Sequence, residues 1–211
     1  MTRPDISGYR HAGSLGSYTT AYLLPTVCKA LAKVLIEGRP KRVLDLGCGS
    51  GSVASWLVQQ GYEVVGVDPS RQGIDQAKKN FPGIIFEVAS SETDLAANYG
   101  RFRAVVSLEV IEHVYAPREF GKRLFDLLEA GGVAVISTPY HGYLKNLVMA
   151  LTGRLDAHFT ALWDNGHIKF WSVKTLSQLL HEAGFTQLRF HRVGRFGPLA
   201  KSLVAVARRH E

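Results

Sequence analysis

The sequence predicts an α/β fold of three layers, a mostly parallel sheet lying between two layers of helices. Three observations predict it. Apolar strand-like runs alternate with amphipathic helical segments from residue 41 to residue 184. Most of the runs are continuous rather than alternating, as in Ala104-Val105-Val106 and Val133-Ala134-Val135-Ile136, which suits strands buried on both faces. A glycine-rich turn, Gly47-Cys48-Gly49-Ser50-Gly51, follows the first run, where open α/β sheets bind ligands.

The elements follow in order. Leu23, Val27, Leu31, Val34 and Leu35 recur at helical spacing, so 18–37 is expected as a helix closed by Gly38-Arg39-Pro40. Strands are expected at 42–46, 62–67, 84–88, 102–108, 133–137, 187–193 and 199–207. Helices are expected at 52–60, stopped by Gly61, and at 71–80, capped by Ser70. Two more fall at 117–129, opened by Pro117, and at 173–183, capped by Ser172 and stopped by Gly184. Gly194-Arg195-Phe196-Gly197-Pro198 is too short for a crossover helix, so the last two strands should form an antiparallel hairpin. With no linker, repeat or low-complexity stretch, the chain reads as one domain over 1–211. It carries a helical arm over about 1–38 and a less regular insert over about 139–171.

Composition narrows the class. The 211 residues are 46% hydrophobic and 20% charged, within the globular range. No apolar run approaches the ~18 residues of a membrane span, and residues 1–18 lack a signal-peptide core, so a cytoplasmic location is the expectation. Cys28 and Cys48 make neither a disulfide framework nor a zinc pattern and read as free thiols. The formal net charge of +7 is partly concentrated in Arg189, Arg192, Arg195, Lys201, Arg208 and Arg209. It suits an anionic partner or simply a solvated basic face.

The turn carries chemistry beyond its glycines. Asp45 stands two residues before Gly47, where a carboxylate would repel a pyrophosphate and attract a cationic ligand. Asp68 ends the run Val64-Val65-Gly66-Val67-Asp68, where an acid can accept hydrogen bonds from ribose hydroxyls.

Val43 to Gly51, Asp68, and Ser107-Leu108-Glu109-Val110-Ile111-Glu112-His113-Val114 resemble the first, second and fourth motifs of class I S-adenosylmethionine (SAM)-dependent methyltransferases. The resemblance covers about residues 20 to 207. It implies a Rossmann-like seven-stranded sheet with an antiparallel C-terminal hairpin strand, and SAM as methyl donor. On that basis Asp45, Gly47, Cys48, Gly49 and Gly51 would hold the methionine end, and Asp68, Pro69 and Ser70 the ribose. Ser90 and Ser91 fall in the adenine-contacting stretch, with Ser90 where many members have Asp. Leu108 and Glu109 would border the methionine end, and Tyr9, Tyr18 and Tyr22 lie where the family often has a lid.

The chemical end is less specific. Glu109, Glu112 and His113 are spaced to share one face of a helical turn, and His167 lies in the His-rich insert with His141 and His158. The run Glu-Val-Ile-Glu-His resembles that of ubiquinone-biosynthesis-type O-methyltransferases, and also that of small-RNA 3′-end 2′-O-methyltransferases. In those families it is associated with a divalent metal. Glu109, Glu112, His113 and His167 are thus candidate ligands, with Glu112, His113 and His167 as candidate acid–base groups. Structural carboxylates and a pocket-lining histidine remain the alternative. The expected activity is methyl transfer to an oxygen of a small-molecule acceptor, with RNA 2′-O-methylation as runner-up. An NAD-dependent dehydrogenase or a non-catalytic SAM-binding protein are readings from other classes. Asp45, and Ser52 where a dinucleotide fingerprint has Gly or Ala, argue against the dehydrogenase.

Overall fold

The computed structural model describes residues 18–32, 41–89, 93–159, 161–163 and 166–210. Seven strands form one sheet: β1 Arg42–Leu46, β2 Glu63–Asp68, β3 Ile85–Val88, β4 Phe102–Leu108, β5 Leu128–Pro139, β6 Gln187–Val193 and β7 Ser202–Arg208. Their order is β3-β2-β1-β4-β5-β7-β6. Pairing is parallel from β3 through β5, and β7 runs antiparallel to both β5 and β6. The Rossmann-like architecture expected from the sequence is the one observed.

The continuous apolar runs have a direct structural cause. Successive residues of the central strands enter opposite cores: Leu44, Val105, Ala134 and Ile136 on one face, Val43, Ala104, Val106, Val133 and Val135 on the other. The second face is covered by α1 Tyr18–Ala32, α2 Ser52–Gln59 and α3 Arg71–Asn80, through Leu23, Val27, Leu31, Leu57 and Ile74. The first is covered by α4 Leu95–Tyr99, α5 Pro117–Asp126 and α8 Val173–Glu182, through Leu95, Leu124, Leu176, Leu179 and Leu180. Each interior strand therefore has no polar face to show water.

The caps behave as read. Ser70 Oγ accepts from the Gly73 amide, and Ser172 with Thr175 forms a reciprocal capping box. Cys28 and Cys48 are free thiols.

Several boundaries differ from expectation. The helix from Pro117 ends at Asp126, not 129, because the Phe102 amide claims the Leu127 carbonyl and Leu128 already pairs with Phe102. A register shift between Phe102 and Ala104 then absorbs the glycine pair, with Gly131 at φ 72°. The short helix α4 was not expected. Its Asp94 N-cap, accepting from the Ala97 amide, was the available signal. The last strand starts at Ser202 rather than 199, since Gly197–Leu199 closes a 3-10 turn. The insert is more regular than expected, with α6 Tyr143–Leu151 and α7 Leu155–Phe159. The expected continuation of the first helix over 33–37 lies outside the described residues.

Candidate active site

The sheet changes winding direction between β1 and β4, and the candidate residues gather at the carboxyl ends of β1, β2, β4 and β5. The glycine turn after β1 is built on left-handed backbone, with Gly47 at φ 84°, Gly49 at 53° and Gly51 at 83°. Gly47 and Cys48 both donate their amides to the Val67 carbonyl, at 2.8 and 3.0 Å, which ties the turn to the end of β2. A side chain on Gly47 would run into Val110, and one on Gly51 into Phe86. The bare backbone of this turn is a requirement of packing as well as of dihedral.

Asp68 clasps the same turn. Its Oδ2 accepts from the Gly49 amide at 2.9 Å and its Oδ1 from the Ser70 amide at 2.8 Å. Pro69 is exposed between Asp68 and the buried Ser70. Asp45 is buried, and its Oδ2 has no hydrogen-bond partner. Burial, with the Asp68 carboxylate adding to it, pushes its carboxyl up from 3.8 to about 7. Burial, and then the charges of Asp45 and Asp68, also push the Cys48 thiol well up, so it stays protonated. A buried carboxylate with one oxygen unpartnered suits a cationic group and does not suit a pyrophosphate.

Leu108 ends β4 half-buried, and Glu109 follows in left-handed backbone at φ 54°. The expected shared face of Glu109, Glu112 and His113 is corrected here. The positive φ at Glu109 breaks the helical phase, and a 3-10 turn begins only at Ile111. Glu109 instead turns to β5: its Oε1 accepts from the Ser137 hydroxyl at 2.7 Å, and its amide donates to Ser137 Oγ at 3.0 Å.

The structure brings Glu112, His113 and His167 together. One ligand atom from each lies within 4.8 Å of the others, and Glu109 is not among them. The insert reaches this cluster by backbone, as the Ile168 and Lys169 amides both donate to the Glu112 carbonyl at 2.9 Å. His113 Nδ1 donates to the Gly166 carbonyl at 3.1 Å. The His113 and His167 rings meet edge to face at 5.0 Å, and Trp163 packs against both.

Glu112 is buried, with both carboxylate oxygens unpartnered. Burial, then the Glu109 carboxylate, push its carboxyl well above the usual range. Burial, His113 and His158 lower His167 to about 4, so it is neutral near pH 7. His141 is likewise lowered to about 4 by burial and Lys145, inside a ring cluster with His158, Phe159 and Phe170.

Ser90, Ser91 and Tyr9 lie outside the described residues, and of Tyr18 only the helical backbone is described. Tyr22 hydrogen-bonds Ser202 at 3.0 Å. Sequence reasoning missed Ser137 and the Gly166 carbonyl, while Trp163 stands in the insert expected to cover the acceptor. Two hydroxyl residues, Ser137 and Thr138, closing an otherwise apolar strand were the signal for the first.

A methyltransferase-domain family model matches residues 19–189. The ubiquinone biosynthesis O-methyltransferase of Caulobacter sp. (strain K31) is 33% identical over 126 residues, covering 58% of this chain and 48% of that protein. That of Psychrobacter arcticus is 30% identical over 156 residues, covering 70% of this chain and 60% of that protein. The chain thus spans about half to 60% of the length of these curated relatives. The crystal structure of magnesium protoporphyrin IX methyltransferase from Synechocystis PCC 6803 with bound SAH superposes with a TM-score of 0.66 at 17% identity. It covers 94% of this chain and 90% of that one, a likeness of fold. These matches set the dehydrogenase reading aside. The family match over most of its length shows that the chain belongs to the class I SAM-dependent methyltransferases, in the methyltransferase-domain family.

Proposed function

We infer that this chain transfers a methyl group from SAM to an oxygen of a small-molecule acceptor held beneath the 139–171 segment. The observation that carries the reading is the meeting of Glu112, His113 and His167 beside the turn at the ends of β1 and β4. The naming of the curated relatives as O-methyltransferases supports it.

Bound SAM supplies an electrophilic methyl on a sulfonium. Asp45 takes the ammonium, and Gly47, Cys48, Gly49 and Gly51 let the methionine end lie against backbone. Asp68, oriented by the Gly49 and Ser70 amides, faces the ribose. Leu108 and Glu109 close the methionine side. The acceptor hydroxyl must lose its proton as it attacks. His167, neutral near pH 7, can take that proton, and His113, anchored through Nδ1 to the Gly166 carbonyl, stands against its ring as the second candidate. Glu112, buried beside them, holds a position from which it can hydrogen-bond the acceptor. Trp163 packs against both histidine rings and fixes their mutual orientation.

A second reading concerns a divalent ion. One carboxylate and two imidazoles within 4.8 Å, with two orphaned buried carboxylate oxygens, fit such an ion. Glu112, His113 and His167 would hold it, and it would lower the acceptor hydroxyl's pKa.

The test is methyl transfer from radiolabelled SAM across a panel of phenols, catechols, hydroxy acids and RNA oligonucleotides. Turnover of a small hydroxylated acceptor that falls at least about tenfold in His167→Ala is expected. Turnover confined to RNA would contradict the reading. Exhaustive chelation followed by Mg²⁺, Mn²⁺ or Zn²⁺ add-back separates the general-base and ion mechanisms, and metal-dependent thermal stabilisation gives a second readout.

A further inference from the structure

Lys145 is half-buried on a helix whose neighbouring leucines, Leu144 and Leu147, are exposed. A lysine on an outer helix ordinarily runs its ammonium out to water. Here Lys145 Nζ donates to the carbonyl of Tyr140, the residue after β5, at 2.9 Å. Among the described residues the ion pairs are Arg103–Glu129 and Arg118–Glu182, so no carboxylate is within ion-pair range of Lys145. Glu109 is near enough to favour its charge, yet the Glu109 carboxylate is engaged by the Ser137 hydroxyl instead.

A second cation is brought toward the first. The 3-10 turn Gly197–Leu199 packs against α6, which sets Arg195 of the β6–β7 hairpin near Lys145. The two repel. Burial, and then the Arg195 charge, hold the Lys145 pKa below the usual lysine range. Arg192 of the same hairpin lies over the Tyr140 ring at 5.1 Å, so three cations gather around Tyr140. Residues 183–210 contain no Asp or Glu to offset them. A half-buried ammonium facing a like charge is an unfavourable arrangement, and an anion between the two would relieve it.

The pair stands on the acceptor side of the site. Lys145 is close enough to Glu109, His141 and His158 for its charge to act on each, and His158 acts in turn on His167. We propose that Lys145 and Arg195 form a subsite for a carboxylate carried by the methyl acceptor. The proposal rests on the reading of the 139–171 segment as the cover of the acceptor. The planar fork of Arg195 matches the two oxygens of a carboxylate, and the Lys145 ammonium adds a point charge beside it. Both residues determine specificity: they select an acceptor by a group remote from the hydroxyl that is methylated, and binding there directs that hydroxyl toward the reacting groups.

A matched pair of compounds tests it, 3,4-dihydroxybenzoate and 3,4-dihydroxybenzyl alcohol, which share their hydroxyls and differ in charge at one substituent. Calorimetry on the chain loaded with S-adenosylhomocysteine should show the benzoate binding at least about tenfold tighter, the scale of one hydrogen bond between charged groups. Lys145→Met and Arg195→Gln should each remove most of that preference, with S-adenosylhomocysteine affinity and melting temperature unchanged. In turnover the preference should appear in KM rather than in kcat. Arg195 is exposed, so its variant keeps the test readable should Lys145→Met fail to fold. Equal affinity for the two compounds, binding of neither, or a preference that survives both variants overturns the proposal. Carboxylate-dependent binding without methyl transfer to either compound supports the subsite and counts against the methyl-transfer reading alone.

Discussion

The Gly49 amide donates to Asp68 Oδ2 at 2.9 Å, so the ribose-side carboxylate and the methionine-side turn are one hydrogen-bonded unit. The end of β2 therefore sets the shape of the loop after β1. Asp68→Ala should weaken S-adenosylhomocysteine binding by about 1.5–3 kcal/mol, the usual loss for hydrogen bonds to a charged group. Isothermal calorimetry reads this directly, and unchanged affinity would remove Asp68 from the ribose role.

Asp45 makes the ligand-free protein sensitive to pH. Its folded pKa of about 7 lies above the reference 3.8, so its contribution favours the folded state at acid pH. That stability is fully present below about pH 4 and is lost as pH rises through about 7, a swing on the order of 4 kcal/mol. Melting temperatures of the ligand-free protein from pH 4 to 8 should show the fall, and Asp45→Asn should flatten it. S-adenosylhomocysteine affinity should move the opposite way, rising through pH 7 as the carboxylate ionises to meet the ammonium. A binding curve flat in pH would place the ammonium elsewhere.

Gly47 is held in left-handed backbone at φ 84°, facing Val110. Gly47→Ala should cost about 2–4 kcal/mol, combining a disfavoured dihedral with overpacking. Adding Val110→Ala should relieve the clash and leave the dihedral cost. Denaturant unfolding of the single and double variants separates the two. Equal stabilities for both would show that Val110 is not the obstacle.

The insert should be separable from the cofactor site. Its ends are tied down: Tyr140 and Trp171 are buried and bridge each other, and the 168–169 amides hold Glu112. Residues 143–159 contribute no fully buried side chain. Replacing them with a short Gly/Ser linker should preserve S-adenosylhomocysteine binding and abolish turnover. Joint loss of ligand binding and thermal stability would assign the segment to the core instead.

The sheet was legible because its strands are apolar on both faces, a pattern that leaves no other home for Val133 to Ile136. The turn was legible because Asp45, three glycines and Asp68 are short-range signals fixed by strand ends. The chemical end was less so. A helical phase through Glu109, Glu112 and His113 fails because one residue, Glu109, adopts positive φ and turns to Ser137, a partner 28 residues away. His167 reaches Glu112 and His113 only through tertiary backbone bonds that no local pattern encodes. The helices in the insert escaped notice because their apolar residues face outward, so no core demanded them.

The central claim is that the turn after β1, with Asp45 and Asp68, is a SAM site. Calorimetric titration of the chain with SAM, S-adenosylhomocysteine and NAD tests it most directly. The account predicts micromolar binding of both sulfur nucleosides and none of NAD, with Asp45→Asn and Asp68→Ala each weakening the former. Tight NAD binding without SAM binding would contradict it.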